Sequence, residues 1–279
     1  MTWPVRLRNP KPDTRFYRCG NRLALFHRAA DHVDYWRDYW DPIKARDLVA
    51  RGRSGNLDEF ESLITRYVPK QLPVLEAGCG PGHLVAALLA RGYLATGIDY
   101  EPEVVRFANA TLPEAEIKHG NVLSLEHPSG SIGCYLSVGV VEHFIDGPGG
   151  ALMEAQRVLH PKGVALISVP YLNPARTRHL RTAPPREEAS DDLCFHQYYF
   201  GAREFEAELR RAGLVVVEYW PYAVKAFLTR EHPVAAAFWG SRLCRDRMKR
   251  TLTRQMSGAP RWMRHRYAHM LMAVCRPLA

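Results

Sequence analysis

The stretch from Val74 to Tyr100 constrains this fold more than any other part of the chain. It reads as a buried strand, Pro73 to Ala77, entering a glycine loop, Gly78-Cys79-Gly80-Pro81-Gly82. A helix follows, His83 to Arg91, and then a second strand, Leu94 to Ile98, that ends on Asp99. A strand, a loop without bulky side chains, a helix start and an acid at the next strand tip make a nucleoside-binding half-site. Glycine lets the backbone approach a ligand that a Cβ would repel. The free N–H groups of the helix start favour an anionic group, and Asp99 is placed to accept from a ribose diol.

The fine spacing of the loop selects the nucleoside. A dinucleotide fingerprint wants its last glycine at the sixth position. Here that position is His83, and the additional glycine, Gly82, comes one place early. Glu76 also puts a carboxylate where a pyrophosphate would be repelled, which suits a cation. The pattern Glu76-x-Gly78-x-Gly80-x-Gly82, followed by Gly97-Ile98-Asp99, resembles motif I and the acidic motif of class I S-adenosylmethionine-dependent methyltransferases. In that family the loop wraps the methionine end of the cofactor, with its amino group and sulfonium.

The resemblance extends over roughly residues 70 to 220. Gly120-Asn121-Val122 follows a short strand, Ala115 to Lys118, and stands where the family has an acid that meets the adenine. Asn121 departs from that acid but keeps hydrogen-bonding capacity. Ile132 to Val138 looks like the fourth strand, with Glu142-His143 in the loop after it. A helical pattern over Ala151 to Leu159 is then broken by His160-Pro161-Lys162-Gly163, and Val164 to Val169 reads as a buried strand. This order is similar to the type 11 small-molecule methyltransferases. The resemblance implies S-adenosyl-L-methionine as cofactor, lined by Glu76, Gly78, Gly80, Gly82, Asp99, Tyr100, Asn121, Val122, Ser137 and Val138, with no metal. It also implies an α/β, Rossmann-like three-layer sandwich whose seven-stranded sheet is parallel except for an antiparallel last strand. That strand, Tyr267 to Cys275, would lie between the fifth and sixth.

The implied organisation is an N-terminal helical lid segment over residues 1–70 and a methyltransferase core over 71–279. A basic helical insertion occupies about 221–266. Tyr35-Trp36 and Tyr39-Trp40 fall four apart, on one helix face. Tyr39 and Trp40 would serve as the lid over the cofactor, or pack on the core. A helix is expected from Leu57 to Tyr67. Residues 171–200 read as the longest irregular stretch, because Asn173-Pro174, Pro184-Pro185 and the acidic Glu187 to Asp192 discourage regular structure. It ends in Phe195-His196-Gln197-Tyr198-Tyr199-Phe200, which in the type 11 enzymes borders the acceptor pocket. A helix, Ala202 to Ala212, and a strand, Leu214 to Trp220, complete the core.

The transfer itself needs little chemistry, because the sulfonium methyl is already activated. Aligning acceptor and methyl about 3 Å apart is worth ~7 to 11 kcal/mol. An acceptor carrying a proton wants a base in addition, and His143 is the first candidate, since it follows the fourth strand. His196 and Tyr198 are the alternatives. A nicotinamide oxidoreductase is disfavoured by the displaced glycine and by Glu76. A base-methylating enzyme would carry an Asp/Asn-Pro-Pro-aromatic tetrapeptide where this chain has Ser137-Val138-Gly139-Val140. The expected reaction is O- or N-methylation of a small molecule. The alternatives are a nucleic-acid or lipid-associated enzyme, or a cofactor-binding protein without turnover.

Charge supplies a further expectation. Residues 225–279 hold twelve Lys and Arg against two acids, Glu231 and Asp246, while the other 224 residues sum to −1. Such asymmetry points to an acidic partner. From Gly240 to Arg266 the pattern reads as a basic amphipathic helix. Arg242, Arg245, Lys249 and Arg250 stand against Leu243, Met248, Leu252 and Met256. It would meet an acidic acceptor or an anionic membrane surface, or it is a solvated face; no specific nucleic acid is expected. The six scattered cysteines read as reduced thiols. Together with the lack of a long apolar run they predict a cytoplasmic protein.

Overall fold

The computed structural model describes residues 14–28, 39–188, 192–241 and 243–278. Tyr35 and Trp36 lie outside the described residues. The chain opens with strands β1 (Arg15–Cys19) and β2 (Arg22–Arg28), then helices α1 (Pro42–Arg53) and α2 (Glu61–Tyr67). Alternation follows: β3 (Val74–Ala77), α3 (His83–Ala90), β4 (Ala95–Asp99), α4 (Pro102–Thr111), β5 (Glu116–His119), β6 (Ile132–Val138), α5 (Gly149–Val158) and β7 (Leu159–Pro170). Next come α6 (Pro174–Leu180), β8 (Leu193–Tyr199), α7 (Ala202–Arg211) and β9 (Leu214–Tyr222). The chain ends with α8 (Val224–Arg230), α9 (Pro233–Gly240), α10 (Asp246–Ser257), α11 (Arg261–Tyr267) and β10 (Met270–Pro277).

Two compact units result. One contains the described residues of 39–168, 206–219 and 272–278; the other those of 14–28, 169–205 and 220–271. The first is built on the seven-stranded sheet, ordered β5-β4-β3-β6-β7-β10-β9 and parallel but for its C-terminal strand. β10 lies between β7 and β9, as the sequence predicts. The central strands are buried on both faces, and their sequences carry continuous apolar runs such as Val164 to Ile167. Register fixes the strand tips: Glu76 pairs with Gly97 and with Leu136, and Asp99 pairs with His119.

α1 starts where Asp41 accepts the N–H groups of Ile43 and Lys44 at 2.9 and 3.1 Å, with Pro42 in the first turn. It packs tightly on α3 at Gly52, where a Cβ would stand 2.2 Å from the His83 carbonyl oxygen. The expected break at His160 to Gly163 is instead an irregularity inside β7. Ile132 pairs with Leu159 and Cys134 with Val164, so the extra residues bulge out of the ladder.

The second unit departs further from the sequence reading. Residues 15–28, expected within a helical segment, form an antiparallel hairpin that pairs with β8 in the order β1-β2-β8. Its two-residue turn, Gly20-Asn21, has Gly20 at φ 58° and fits strand twist. Residues 171–200 are largely regular, containing α6 and β8. Pro174 does not disrupt; it occupies the first turn of α6, and Asn173 Oδ1 caps that helix by accepting from Ala175 and Arg176 N–H at 3.0 Å. Arg176 is fully buried and donates to Glu231 in two bonds, one of them 2.8 Å long, and to the carbonyls of Tyr171 and His269. The basic segment is helical but not one helix. Leu243 lies in the turn before α10, and Gly258 to Pro260 separate α10 from α11.

Candidate functional site

The glycine loop is strapped to the tip of β4. The N–H groups of Gly78 and Cys79 both donate to the Ile98 carbonyl at 2.9 Å. Gly80 N–H donates to Oδ2 of Asp99 at 2.8 Å, and Glu101 N–H donates to its Oδ1 at 3.0 Å. Gly80 and Gly82 have φ of 53° and 80°, left-handed values that L side chains rarely adopt. Space excludes a side chain as well. A Cβ on Gly82 would lie 2.4 Å from Ile117 Cδ1, and one on Gly80 would lie 2.6 Å from Cζ2 of Trp40. The loop is therefore shaped by strand and helix beneath it and faced by an indole.

Its acids serve the scaffold too. Glu76 is 2% exposed, and its Oε2 accepts the Val85 N–H at 3.2 Å, in the first turn of α3. Burial pushes its pKa well up, against the pull of that N–H. Asp99 is half-buried; desolvation raises its pKa, and the N–H groups of Glu101 and Gly80 oppose the rise. His83 is held neutral, its pKa pushed down to about 4 by burial.

Beyond the loop, Tyr100 is exposed and its carbonyl meets His119 Nε2 at 3.0 Å. Asn121 is exposed, and its Oδ1 accepts the Leu123 N–H at 2.9 Å, while Val122 is buried. Ser137 is fully buried at the carboxyl end of β6, next to Val138, and its Oγ has no hydrogen-bond partner among the described residues. The loop after β6 lies against the glycine loop, since a Cβ on Gly78 would reach within 2.4 Å of Val140 Cγ2.

His143 ends a short turn, Val141–His143, directly after that contact, and its N–H donates to the Val140 carbonyl at 3.1 Å. Its Nε2 stands 3.9 Å from Oε1 of Glu142. Glu142 is 2% exposed, and burial pushes its pKa up to about 8. A carboxyl so placed holds its proton at neutral pH and does not act as a fixed anion.

The other two candidates belong to the other unit, both on β8. His196 is buried, its ring edge-on to His27 at 4.3 Å. Tyr198 is buried, with Cys19 Sγ 3.8 Å from its hydroxyl and the Arg22 guanidinium 5.2 Å from its ring centre. Its pKa is pushed up to about 12, first by burial. Thus His143 shares a unit with the glycine loop, whereas His196 and Tyr198 sit within the packing around β2 and β8. Val140 and Glu142 carry contacts that no sequence signal assigned, whereas Trp40, expected as a lid over the cofactor or packed on the core, lies against Gly80 of the loop.

Known proteins are similar to this chain in sequence and in fold. A family model described as a methyltransferase domain matches residues 75–167. A probable S-adenosylmethionine-dependent methyltransferase of Mycolicibacterium smegmatis is 34% identical over 165 residues, which cover 51% of this chain and 61% of that protein. The chain thus spans less than two thirds of that relative's length. Among solved structures, geranyl diphosphate C-methyltransferase from Streptomyces coelicolor, in complex with S-adenosyl-L-homocysteine, aligns with a TM-score of 0.51. It is 13% identical, covering 79% of this chain and 78% of its own. The [4+2]-cyclase SpnF aligns with a TM-score of 0.51 at 17% identity, covering 80% and 81%. Glycine loop, acid-tipped second strand and strand order agree with the sequence relatives: residues 75–167 match a methyltransferase domain, and the chain is similar there to S-adenosylmethionine-dependent methyltransferases.

Proposed function

We propose that this protein transfers the methyl group of S-adenosylmethionine to a small-molecule acceptor at an oxygen or nitrogen atom. The observation that carries the reading is the glycine loop, left-handed at Gly80 and Gly82 and strapped to the carboxylate of Asp99. The residues present fit the cofactor. The loop gives close backbone approach, the Asp99 carboxylate gives a ribose acceptor, and the unpartnered Ser137 Oγ gives a buried polar atom in want of a partner. Glu76, Tyr100, Asn121, Val122 and Val138 complete the proposed lining. When bound, the cofactor supplies a methyl already activated by its sulfonium charge.

The protein's part is then to hold the acceptor in line, exclude water and take a proton where the acceptor has one. His143 fits the last role, since it ends the short turn that begins after Val140, whose side chain lies against the glycine loop. Its neighbour Glu142, protonated at neutral pH, does not compete with it as a charge. His196 and Tyr198 are the second choices; the Tyr198 phenol, its pKa pushed up to about 12 first by burial, keeps its proton and serves better as a hydrogen-bond donor than as a base. The cationic surplus of residues 225–279 favours an acidic acceptor.

A fold of this kind also serves a cyclase, so turnover must be tested apart from binding. Calorimetry with S-adenosylhomocysteine and with NADH reads the binding half; heat with the first and none with the second is expected. Transfer of labelled methyl to a panel of hydroxylated and amino acceptors, neutral and acidic, reads the other half. Tight binding with no labelled product across the panel and no S-adenosylhomocysteine formed would leave a cofactor-binding protein without methyl transfer.

A further inference from the structure

The four helices α8 to α11 leave an unusual surface. α9, α10 and α11 each pack on α8, whose Val224 and Phe227 are buried, and Ala236, Cys244 and Ala259 close the small core. Large apolar side chains nonetheless remain outside it. Val234 is 63% exposed, Leu243 76% and Trp262 67%, and Phe238 and Met248 are exposed as well. Val234 and Phe238 are four apart on α9 and so share a face. Five large apolar side chains exposed within this one cluster of short helices point to an interaction site.

The exposed charges of these helices are mostly positive. Arg245, Arg261 and Arg266 are exposed, and Lys249 is partly so. The segment's acids do not balance them. Glu231 is buried against Arg176, which leaves Asp246 as its exposed acid. Exposed Trp, Leu, Phe and Met beside Arg and Lys match the two layers of a lipid interface: acyl chains below, anionic headgroups above. A soluble polyanion would match the cations and leave Val234, Phe238, Leu243, Met248 and Trp262 without use.

We infer that helices α9 to α11 dock this protein on an anionic membrane surface, with Trp262 and Leu243 entering the headgroup boundary and the arginines held by anionic lipid. This attachment is peripheral; among the described residues no helix is long and apolar enough to cross a membrane. It is independent of methyl transfer and is read without turnover.

Co-sedimentation of the full chain with vesicles of phosphatidylcholine, with and without phosphatidylglycerol, tests it. The protein should pellet with the anionic vesicles, stay in solution with neutral ones, and be released by added salt. Arg245→Glu with Arg261→Glu should weaken partition by roughly twentyfold or more, at about fivefold per cation removed. Leu243→Ser with Trp262→Ser should weaken it by about tenfold or more. Circular dichroism confirms that both variants keep their helices. As a second readout, wild-type tryptophan emission should shift to the blue on anionic vesicles, and Trp262→Phe should lose that shift. Protein that remains in solution with anionic vesicles at low salt would overturn the inference. So would variants that pellet like wild type, or salt-sensitive binding to heparin by a protein that ignores vesicles, which would assign the surface to a soluble polyanion.

Discussion

The indole of Trp40 lies against Gly80, so close that a Cβ on the glycine would stand 2.6 Å from Cζ2 and 2.9 Å from Cε2 of the ring. The ring covers the part of the loop whose backbone a ligand would approach. The same ring sits 6.5 Å from the imidazole of His83, at the start of α3. A ligand that reaches Gly80 therefore changes the surroundings of this one tryptophan. Saturating S-adenosylhomocysteine should alter the intrinsic fluorescence of the wild type, and Trp40→Phe should lose most of the change while still binding. An unaltered spectrum at saturation, with binding confirmed by calorimetry, would mean that the ring stays in place.

Asp99 has two duties, and two substitutions separate them. Its carboxylate accepts the N–H groups of Gly80 and Glu101, and it offers charge to a ribose. Asp99→Asn keeps an acceptor for the loop but removes the charge. It should weaken S-adenosylhomocysteine binding by about 1 to 2 kcal/mol, and Asp99→Ala by up to about 3 kcal/mol because the loop loses its strap as well. Methionine alone should be little affected by the first substitution. Equal losses for both ligands in Asp99→Asn would place the carboxylate away from the ribose.

His143→Ala should lower turnover about a hundredfold or more at unchanged cofactor affinity if the acceptor gives up a proton. The check is a pair of titrations beside steady-state kinetics on one acceptor. Near-normal turnover would leave alignment alone as the source of rate.

The buried pair of Arg176 and Glu231 predicts an acid-sensitive fold. Burial alone would raise the Glu231 pKa, but Arg176 and His269 outweigh it and hold it at about 2. A carboxyl with a depressed folded pKa contributes stability above its unfolded value of 4.5, lost as pH falls from there toward 2. Glu231→Gln should therefore destabilise the protein at pH 7, by ~3 to 5 kcal/mol since it strands a buried guanidinium. It should also flatten stability between those pH values. Denaturant melts across pH check both, and a variant as stable as wild type at pH 7 would show that Arg176 finds other partners.

What the sequence made legible follows from locality. The glycine loop, α3 and Asp99 could be read because a left-handed turn and a strand-tip acid are demands met by residues adjacent in the chain. The order of the sheet followed from the resemblance, with β10 between β7 and β9. Pro174 was misleading because proline terminates helices and also starts them, and the Asn173 cap decides which. The β1–β2 hairpin was overlooked although Gly20-Asn21 is a two-residue hairpin turn, since the aromatic pairs downstream suggested a helix. The contact of Trp40 with Gly80 and that of Val140 with Gly78 join residues far apart in sequence, and no periodicity encodes them. Glu142 looks like any loop acid until its burial is seen.

The central claim is that the strapped glycine loop holds S-adenosylmethionine, and one titration tests it most directly. Gly80→Val places a branched side chain at a left-handed position, where it also meets the Trp40 ring. Calorimetry of this variant with S-adenosylhomocysteine, alongside wild type and with folding confirmed by circular dichroism, should show heat for wild type and none for the variant. A folded Gly80→Val protein that binds S-adenosylhomocysteine as tightly as wild type would contradict the account.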